Sequence, residues 1–461
     1  MIDLSRREVL LGGLGTAAAF AGGFGAAARA NSADHVLTVS RLDHEIMPGK
    51  PTVGMMSFSP DGPPPVLRLK QGREATIDVV NMLDEATVVH WHGLRIANAM
   101  DGVPYLTQNP IEPGETFRYR FTPPDAGTFW YHPHCNTLEQ ISRGLTGALI
   151  VEEETDPGFD ADLPLNIRDF RLGGDGQFIE FFKPRNAARG GTIGTVSTVN
   201  WQENPVHDLP SGGLVRLRLV VSDVTRVGSF GLEGADGRLI AIDSNPVPEL
   251  MPPGDVILSP GQRVDYAVLM PEDEGRQVQV VLRRPNGDRV LARLRSSGHS
   301  LGRRIKDLKP LAANPVAQPD LQNAEVLDFV FGWSPEGNAP QASICGSLGY
   351  TFWSINRIAW QGDVPGPLEP LAIMKQGKTY VLRLRNETPN DHPIHLHGVT
   401  FQLLSSNKRS VAPLFTDTAL LLSEETMEVA LVADNPGDWA VHCHVIEHQK
   451  TGLTGFVRIE A

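Results

Sequence analysis

The sequence predicts an all-β protein made of three related β-sandwich domains, and three observations carry that expectation. Glycine and proline number 46 and 36 among 461 residues, which favours short elements joined by many turns. Apolar and polar residues alternate with period two over several short runs, as in strands with one buried face. These runs also recur in the same order along the chain, the mark of repeated domains.

Taken in order, residues 1–30 read as an export leader rather than structure. Ser5-Arg6-Arg7-Glu8-Val9-Leu10 has the twin-arginine pattern, a Gly/Ala-rich apolar run extends from Val9 to Ala28, and Ala28-Arg29-Ala30 offers a small-residue cleavage site. The run is glycine-rich and weakly apolar, which favours a leader over a membrane anchor. The mature protein is therefore expected to be periplasmic or secreted, exported by the twin-arginine route, without a membrane span.

Alternating runs follow at Ala75 to Val80, Thr116 to Phe121, Val215 to Val220 and Tyr380 to Arg385. Asn81 to Gly93 and Asn386 to Gly398 each pass from a strand through a polar turn to His-x-His-Gly. Pro113 to His134 and Glu424 to His444 both end in a second His-x-His. Pro260-Gly261-Gln262 to Gly275 starts like the Pro113 segment but carries no histidine. The expected plan is domain 1 at 31–155, domain 2 at 156–297, a Pro/Ala/Gln-rich linker at 298–324 and domain 3 at 325–461. Domain 2 would have no metal ligands. Each domain has a size suited to a Greek-key sandwich.

Composition narrows the function. A net charge of −13 argues against nucleic acid, whose phosphates need a basic surface. Three cysteines cannot build a disulfide-rich scaffold or a four-cysteine zinc site. Ten of the 14 histidines fall in four short motifs: His90-Trp91-His92-Gly93, His132-Pro133-His134, His392 to Gly398, and His442-Cys443-His444 with His448. On a strand, residues i and i+2 share a face, so each His-x-His presents two imidazoles to one site. One such pair is unremarkable, whereas four pairs supply eight imidazoles and suit about three metals with positions open for a small ligand. Cys443 lies between His442 and His444 and must point the other way. His392 is an odd number of residues from His395 and His397, so it too should point away from the cluster. Cys443, His392 and His448 then form the trigonal ligand set of a blue-copper site. His35, His44, His207 and His299 stand alone and are read as surface or core residues.

The four ordered motifs resemble those of the multicopper oxidases, the laccase-like three-domain enzymes, and the resemblance spans the mature chain. It implies three cupredoxin-like domains and four coppers. The type 1 copper would take His392, Cys443 and His448. The type 2 copper would take His90 and His395. The type 3 pair would take His92, His132, His134, His397, His442 and His444, with their division left open. Cys443, His442 and His444 would form the electron route. Dioxygen and a small reducing substrate would be the partners, and the enzyme is expected to act as a monomer.

Six further expectations accompany this assignment. Leu453 occupies the axial position that is often methionine in similar enzymes. Leucine cannot donate to copper, so a three-coordinate site of raised potential is expected, with simple core packing as the other reading. Asp101, eleven residues after His90, matches an acidic position that helps deliver protons to oxygen; its other reading is an Asp-Gly turn. Gln449 stands where some relatives carry an acid, which breaks the matching proton path. Cys135 and Cys345 either form a disulfide or remain two free buried thiols. The acidic residues of Leu421 to Glu428 are read as a solvated face or loop. The aromatic residues of the Phe129 and Tyr350 segments are read as packing.

Two enzymatic functions compete. A laccase-type oxidase would take single electrons from phenols or aromatic amines in a shallow pocket near His448. A metallo-oxidase would act on Cu(I), Fe(II) or Mn(II), which in similar enzymes goes with a methionine-rich insert. The chain has ten methionines and no rich run of them. A copper-free scaffold fits poorly, because every ligand position is filled.

Overall fold

The computed structural model describes residues 32–285, 287–335, 343–366 and 368–461. The leader expected at 1–30 lies outside the described residues. Among those residues, no helix is long and apolar enough to cross a membrane.

Strands dominate, and they assort into three pairs of sheets. The first pair joins Lys50–Ser57, His35–Met47, Ala75–Asn81 and Thr116–Phe121 in one sheet, and Leu67–Lys70, Gly147–Glu152, Gly127–Pro133 and Val89–His92 in the other. The second pair is built around Leu214–Val221 and Arg263–Leu269 on one side and Gln277–Arg283 and Arg289–Ser297 on the other. The third pair is built around Thr379–Asn386 and Thr426–Val432, facing His392–Leu396 and Gly437–Cys443.

The strand pairing shows the repetition directly. Each pair of sheets contains the same two parallel pairings among otherwise antiparallel ladders. In one sheet, His35–Met47 runs parallel to Ala75–Asn81, Ala161–Phe170 to Leu214–Val221, and Glu325–Trp333 to Thr379–Asn386. In the other, Leu67–Lys70 pairs with Gly147–Glu152, Val206–Pro210 with Arg289–Ser297, and Ala372–Lys375 with Thr454–Glu460. A parallel neighbour demands a crossover rather than a hairpin, so the shared pattern identifies one topology used three times. These are the three cupredoxin-like sandwiches expected from sequence. Each encloses its own apolar cluster, centred on Tyr119 and Phe129, on Tyr266 and Leu217, and on Phe401 and Trp439.

In the run Leu421 to Glu428, Glu424 is exposed in a turn as expected, and Glu425 alone departs from the reading as a solvated face or loop. Glu425 is buried and bonded to Arg409 Nε at 3.1 Å, because the turn that leads into Thr426–Val432 folds inward. Its Oε2 also accepts from the Leu422 N–H at 2.5 Å.

Candidate metal centres

Strand register brings the four histidine motifs together. His90 lies opposite His132 where Val89–His92 pairs with Gly127–Pro133. His395 lies opposite His442 where His392–Leu396 pairs with Gly437–Cys443. The first and third sandwiches meet across these strands. His90 stacks on His397 with ring centroids 3.8 Å apart, and His92 on His395 at 3.7 Å. His134 Nε2 and His397 Nε2 lie 3.5 and 3.0 Å from His442 Nε2. Ligand atoms group as His90–His395–His397, His90–His92–His132 and His134–His397–His442.

These side chains fit a metal cluster. All eight rings are buried. The nitrogens His90 Nε2, His92 Nδ1, His132 Nε2, His134 Nδ1 and His395 Nε2, and both of His444, have no hydrogen-bond partner. Buried polar atoms without partners are costly, so this concentration of free lone pairs marks a cation site. Burial also drives the basicity of His92, His132, His134, His397 and His444 well below the ordinary imidazole value, and that of His442 down to about 3. Neutral imidazole is the form that ligates.

Several rings are aimed by their other nitrogen. His90 Nδ1, His132 Nδ1, His395 Nδ1 and His442 Nδ1 lie 2.8, 3.0, 2.9 and 3.0 Å from the carbonyls of Asp101, Pro133, Asp417 and Cys443. A carbonyl only accepts, so each Nδ1 carries the proton and each Nε2 is left as a donor to metal.

A second constellation sits on the opposite face of the Gly437–Cys443 strand. Cys443 Sγ lies 3.6 Å from His392 Nδ1 and 3.5 Å from His448 Nδ1, and the two imidazole nitrogens are 3.1 Å apart. Thr388 Oγ1 holds His392 Nε2 at 2.8 Å. Burial pushes the Cys443 thiol well up, so a thiolate here needs an adjacent cation. His448 rides on the short helix Ile446–Lys450.

The comparisons agree with this geometry. Multicopper oxidase profiles match residues 43–156 and 343–461. A multi-copper oxidase crystal structure from Pseudomonas thermotolerans is 40% identical, covers 93% of this chain and 100% of that one, and superposes with a TM-score of 0.84. Multicopper oxidase MmcO of Mycobacterium tuberculosis is 28% identical over 88% of this chain and 83% of its own length. Laccase-1 of Cryptococcus neoformans is 25% identical over 86% and 76%. The chain belongs to the multicopper oxidase family. Its members are copper-dependent oxidoreductases that use dioxygen and a reducing substrate.

In this multicopper oxidase Asp101 is both a turn residue and a cluster residue. Its Oδ2 lies 2.8 Å from His397 Nδ1 and its Oδ1 3.2 Å from His90 Nδ1, so one carboxylate braces a ring from each sandwich. The turn needs Gly102, with φ of +82°, because a Cβ there would lie 1.8 Å from the Val89 carbonyl oxygen. Gln449 is buried, and its amide nitrogen lies 3.1 Å from His134 Nε2. An amide in that place holds a ring but does not shuttle protons. Leu453 is buried in the same apolar cluster as Cys443, and its carbonyl accepts from the Cys443 N–H at 3.0 Å. Cys135 and Cys345 are joined in a disulfide that ties the first sandwich to the third.

Two features escaped the sequence reading. Asp417 reaches His92 Nε2 at 3.3 Å and His395 Nδ1 at 3.5 Å through Oδ1. Arg263 of the second sandwich grips the same carboxylate at 2.8 and 2.6 Å. Burial opposes ionisation of Asp417, but the Arg263 charge and hydrogen bonds overcome it and hold the carboxyl well below its usual range. Neither residue lies near a histidine motif in sequence, so spacing offered no signal.

The second feature corrects the expected shallow pocket at His448. Its side chain is 0% exposed, and its Nε2–H donates to the Arg189 carbonyl at 2.5 Å. Residues 183–192 lie across the site. The Trp353 Nε1–H donates to the Ala187 carbonyl at 3.0 Å, and the Thr192 hydroxyl donates to Glu447 at 2.8 Å.

Proposed function

We propose that this protein is a laccase-type oxidase that removes single electrons from phenols or aromatic amines and delivers four of them to dioxygen, forming water. The type 1 copper is held by His392, Cys443 and His448, the type 2 copper by His90 and His395, and one type 3 copper by His134, His397 and His442. His92, His132 and His444 are left for the fourth copper. Bound copper supplies one-electron redox chemistry at the first site and oxygen binding at the cluster. The chain's own residues hold these sites in register. The observation that carries the reading is the tripeptide His442-Cys443-His444, whose sulfur meets two imidazoles while its histidines face the cluster.

Identity does not choose the substrate. An iron transport multicopper oxidase of Candida albicans is 27% identical, much as the laccase is at 25%. The surface over the type 1 site favours the organic donor. Lys183, Arg185 and Arg189 are exposed on the segment that covers it, and three positive charges there repel metal cations. We also place the domain boundaries near 155 and within 298–324, because no strand of one sandwich falls within another. The leader reading implies periplasmic or secreted protein.

An absorption and EPR spectrum of copper-loaded protein tests the sites. An intense blue band with a near-ultraviolet shoulder is expected, and no blue band in a copper-replete sample would sink the assignment. Turnover should be faster with 2,6-dimethoxyphenol than with Cu(I); the reverse order would make it a metallo-oxidase.

A further inference from the structure

The Arg189 carbonyl occupies the imidazole edge of His448, so a donor cannot touch that ring directly. The covering segment is tied on both sides, through Trp353 to Ala187 and through Glu447 to Thr192. Electrons therefore need another route in, and the side chains around the site offer one. The Trp353 ring lies 4.7 Å from His448 and 5.0 Å from His392, centroid to centroid, and is fully buried. Trp333 stacks on Trp353 with centroids 4.2 Å apart and planes 17° from parallel. The two are directly opposite where Glu325–Trp333 pairs with Trp353–Ile355, so the sheet itself fixes the stack. Trp333 is 45% exposed.

We infer that Trp333 is where the reducing substrate docks, and that the stacked pair Trp333–Trp353 conducts its electron to the type 1 ligand set. This deepens the proposed function and rests on the assignment of His392, Cys443 and His448. Packing alone accounts for a buried Trp353. It does not account for an outer ring that keeps nearly half its surface in water while contacting a ring that meets both imidazoles. Tunnelling weakens steeply with distance and with gaps between orbitals, and two indoles stacked with centroids 4.2 Å apart leave only a van der Waals gap. The exposed indole face also suits a planar aromatic donor, which stacks on it. The phenol loses one electron and the proton of its O–H bond, which passes to water, and leaves as a phenoxyl radical. The electron tunnels through both rings to the oxidised type 1 centre. No tryptophan radical has to accumulate.

The test compares copper-loaded wild type, Trp333→Leu and Trp333→Phe. Each is mixed anaerobically with hydroquinone, and bleaching of the blue band is timed. Trp333→Leu should slow bleaching at least tenfold, with the position of the blue band and the type 1 midpoint potential unchanged. Trp333→Phe keeps a packed ring but loses the electron-rich indole, and should slow bleaching several-fold. If Trp333→Leu misfolds, the phenylalanine variant carries the test. In the reduced, copper-loaded wild type, which cannot oxidise the donor, hydroquinone should shift the Trp333 indole N–H resonance more than any other indole. Unchanged bleaching in a variant with an intact blue band overturns the inference, as does an unmoved Trp333 resonance. A wild type without a blue band would instead overturn the type 1 assignment.

Discussion

The outer sandwiches and the middle one share a topology but divide the work. The first and third supply every clustered histidine and the cysteine. The middle one supplies none of these, yet it reaches both sites. Its Arg263 anchors Asp417 against two cluster rings, and its Gly261 lies against His444 and His92. Its segment 183–192 covers His448. A repeat that has no ligands has thus become the support for those of its neighbours. Ligands placed between two bodies are held in register only if something fixes the bodies, and the middle sandwich touches both sides.

Acid should separate the two kinds of domain most strongly. In the metal-free protein burial lowers the basicity of His92, His132, His134, His392, His395, His397 and His444, and takes His442 and His448 down to about 3. The unfolded chain protonates them near 6.5, so it binds more protons below that pH. Their stabilising contribution is therefore present above about pH 6.5 and is lost as pH falls toward the folded values. Each such imidazole costs on the order of 1.4 kcal/mol per pH unit in that window. The middle domain has one histidine, His207, partly exposed and lowered by burial, and its buried Asp243, raised to about 7, takes up a proton in the folded state and so acts in the opposite direction. Urea unfolding of metal-free protein should thus show a steep loss of stability from pH 7 to 5. Hydrogen exchange should place the acid-induced opening in the outer sandwiches. Uniform opening, or a flat pH response, would contradict the division.

Arg263→Leu comes next. The substitution leaves Asp417 and Asp243 buried without their shared cation, which lies 2.6 Å from Asp417 and 3.2 Å from Asp243. Breaking a buried pair on one side costs about 3–5 kcal/mol. The expected protein melts earlier and loses type 2 and type 3 copper while keeping its blue band, because Arg263 touches only the cluster side. Metal analysis and EPR check this; loss of the blue band together with the cluster copper would show that the domain collapses as a whole. Gly261→Ala should do less. Gly261 has φ of +93°, and a Cβ would lie 3.0 Å from His444 Cδ2 and 3.1 Å from His92 Cε1. Left-handed backbone costs a non-glycine residue roughly 1–2 kcal/mol, and the rings must yield as well. A small fall in melting temperature with an altered near-ultraviolet shoulder is expected. An unchanged shoulder would place Gly261 outside the cluster's support.

The division also explains which parts were legible in the sequence. His-x-His is a local statement about strand geometry, so the ten clustered histidines and the opposite facing of Cys443 could be read from spacing. Asp101 was legible because its place eleven residues after His90 matches an acidic position of similar enzymes. Asp417 and Arg263 are 154 residues apart and meet only through the fold. The cap on His448 is a backbone carbonyl, and any residue at position 189 could provide it. The expectation of an open pocket failed for that reason: ligand motifs specify what faces the metal, and nothing in them specifies what covers it. Trp353 was read as packing, which it also is, and Trp333 carried no reading; only their order from solvent to imidazole suggests more.

Leu453→Met makes the smallest change and tests the third sandwich alone. Leu453 is buried, shares an apolar cluster with Cys443, and is bonded through its backbone to both Cys443 and His448. The backbone bonds survive the substitution, so the position relative to the sulfur should persist. Methionine fills nearly the same volume, and such a swap costs less than about 1.5 kcal/mol. What changes is the atom offered to the metal. A thioether donates weakly and lowers the potential, whereas leucine offers only carbon. A redox titration of the blue band should give a lower midpoint for the variant, with melting temperature and cluster copper unaltered. An unchanged midpoint would mean that Leu453 packs beside the site without facing it. The potential would then be set by burial and by two hydrogen bonds, from Val445 N–H to Sγ and from His392 Nε2–H to Thr388 Oγ1.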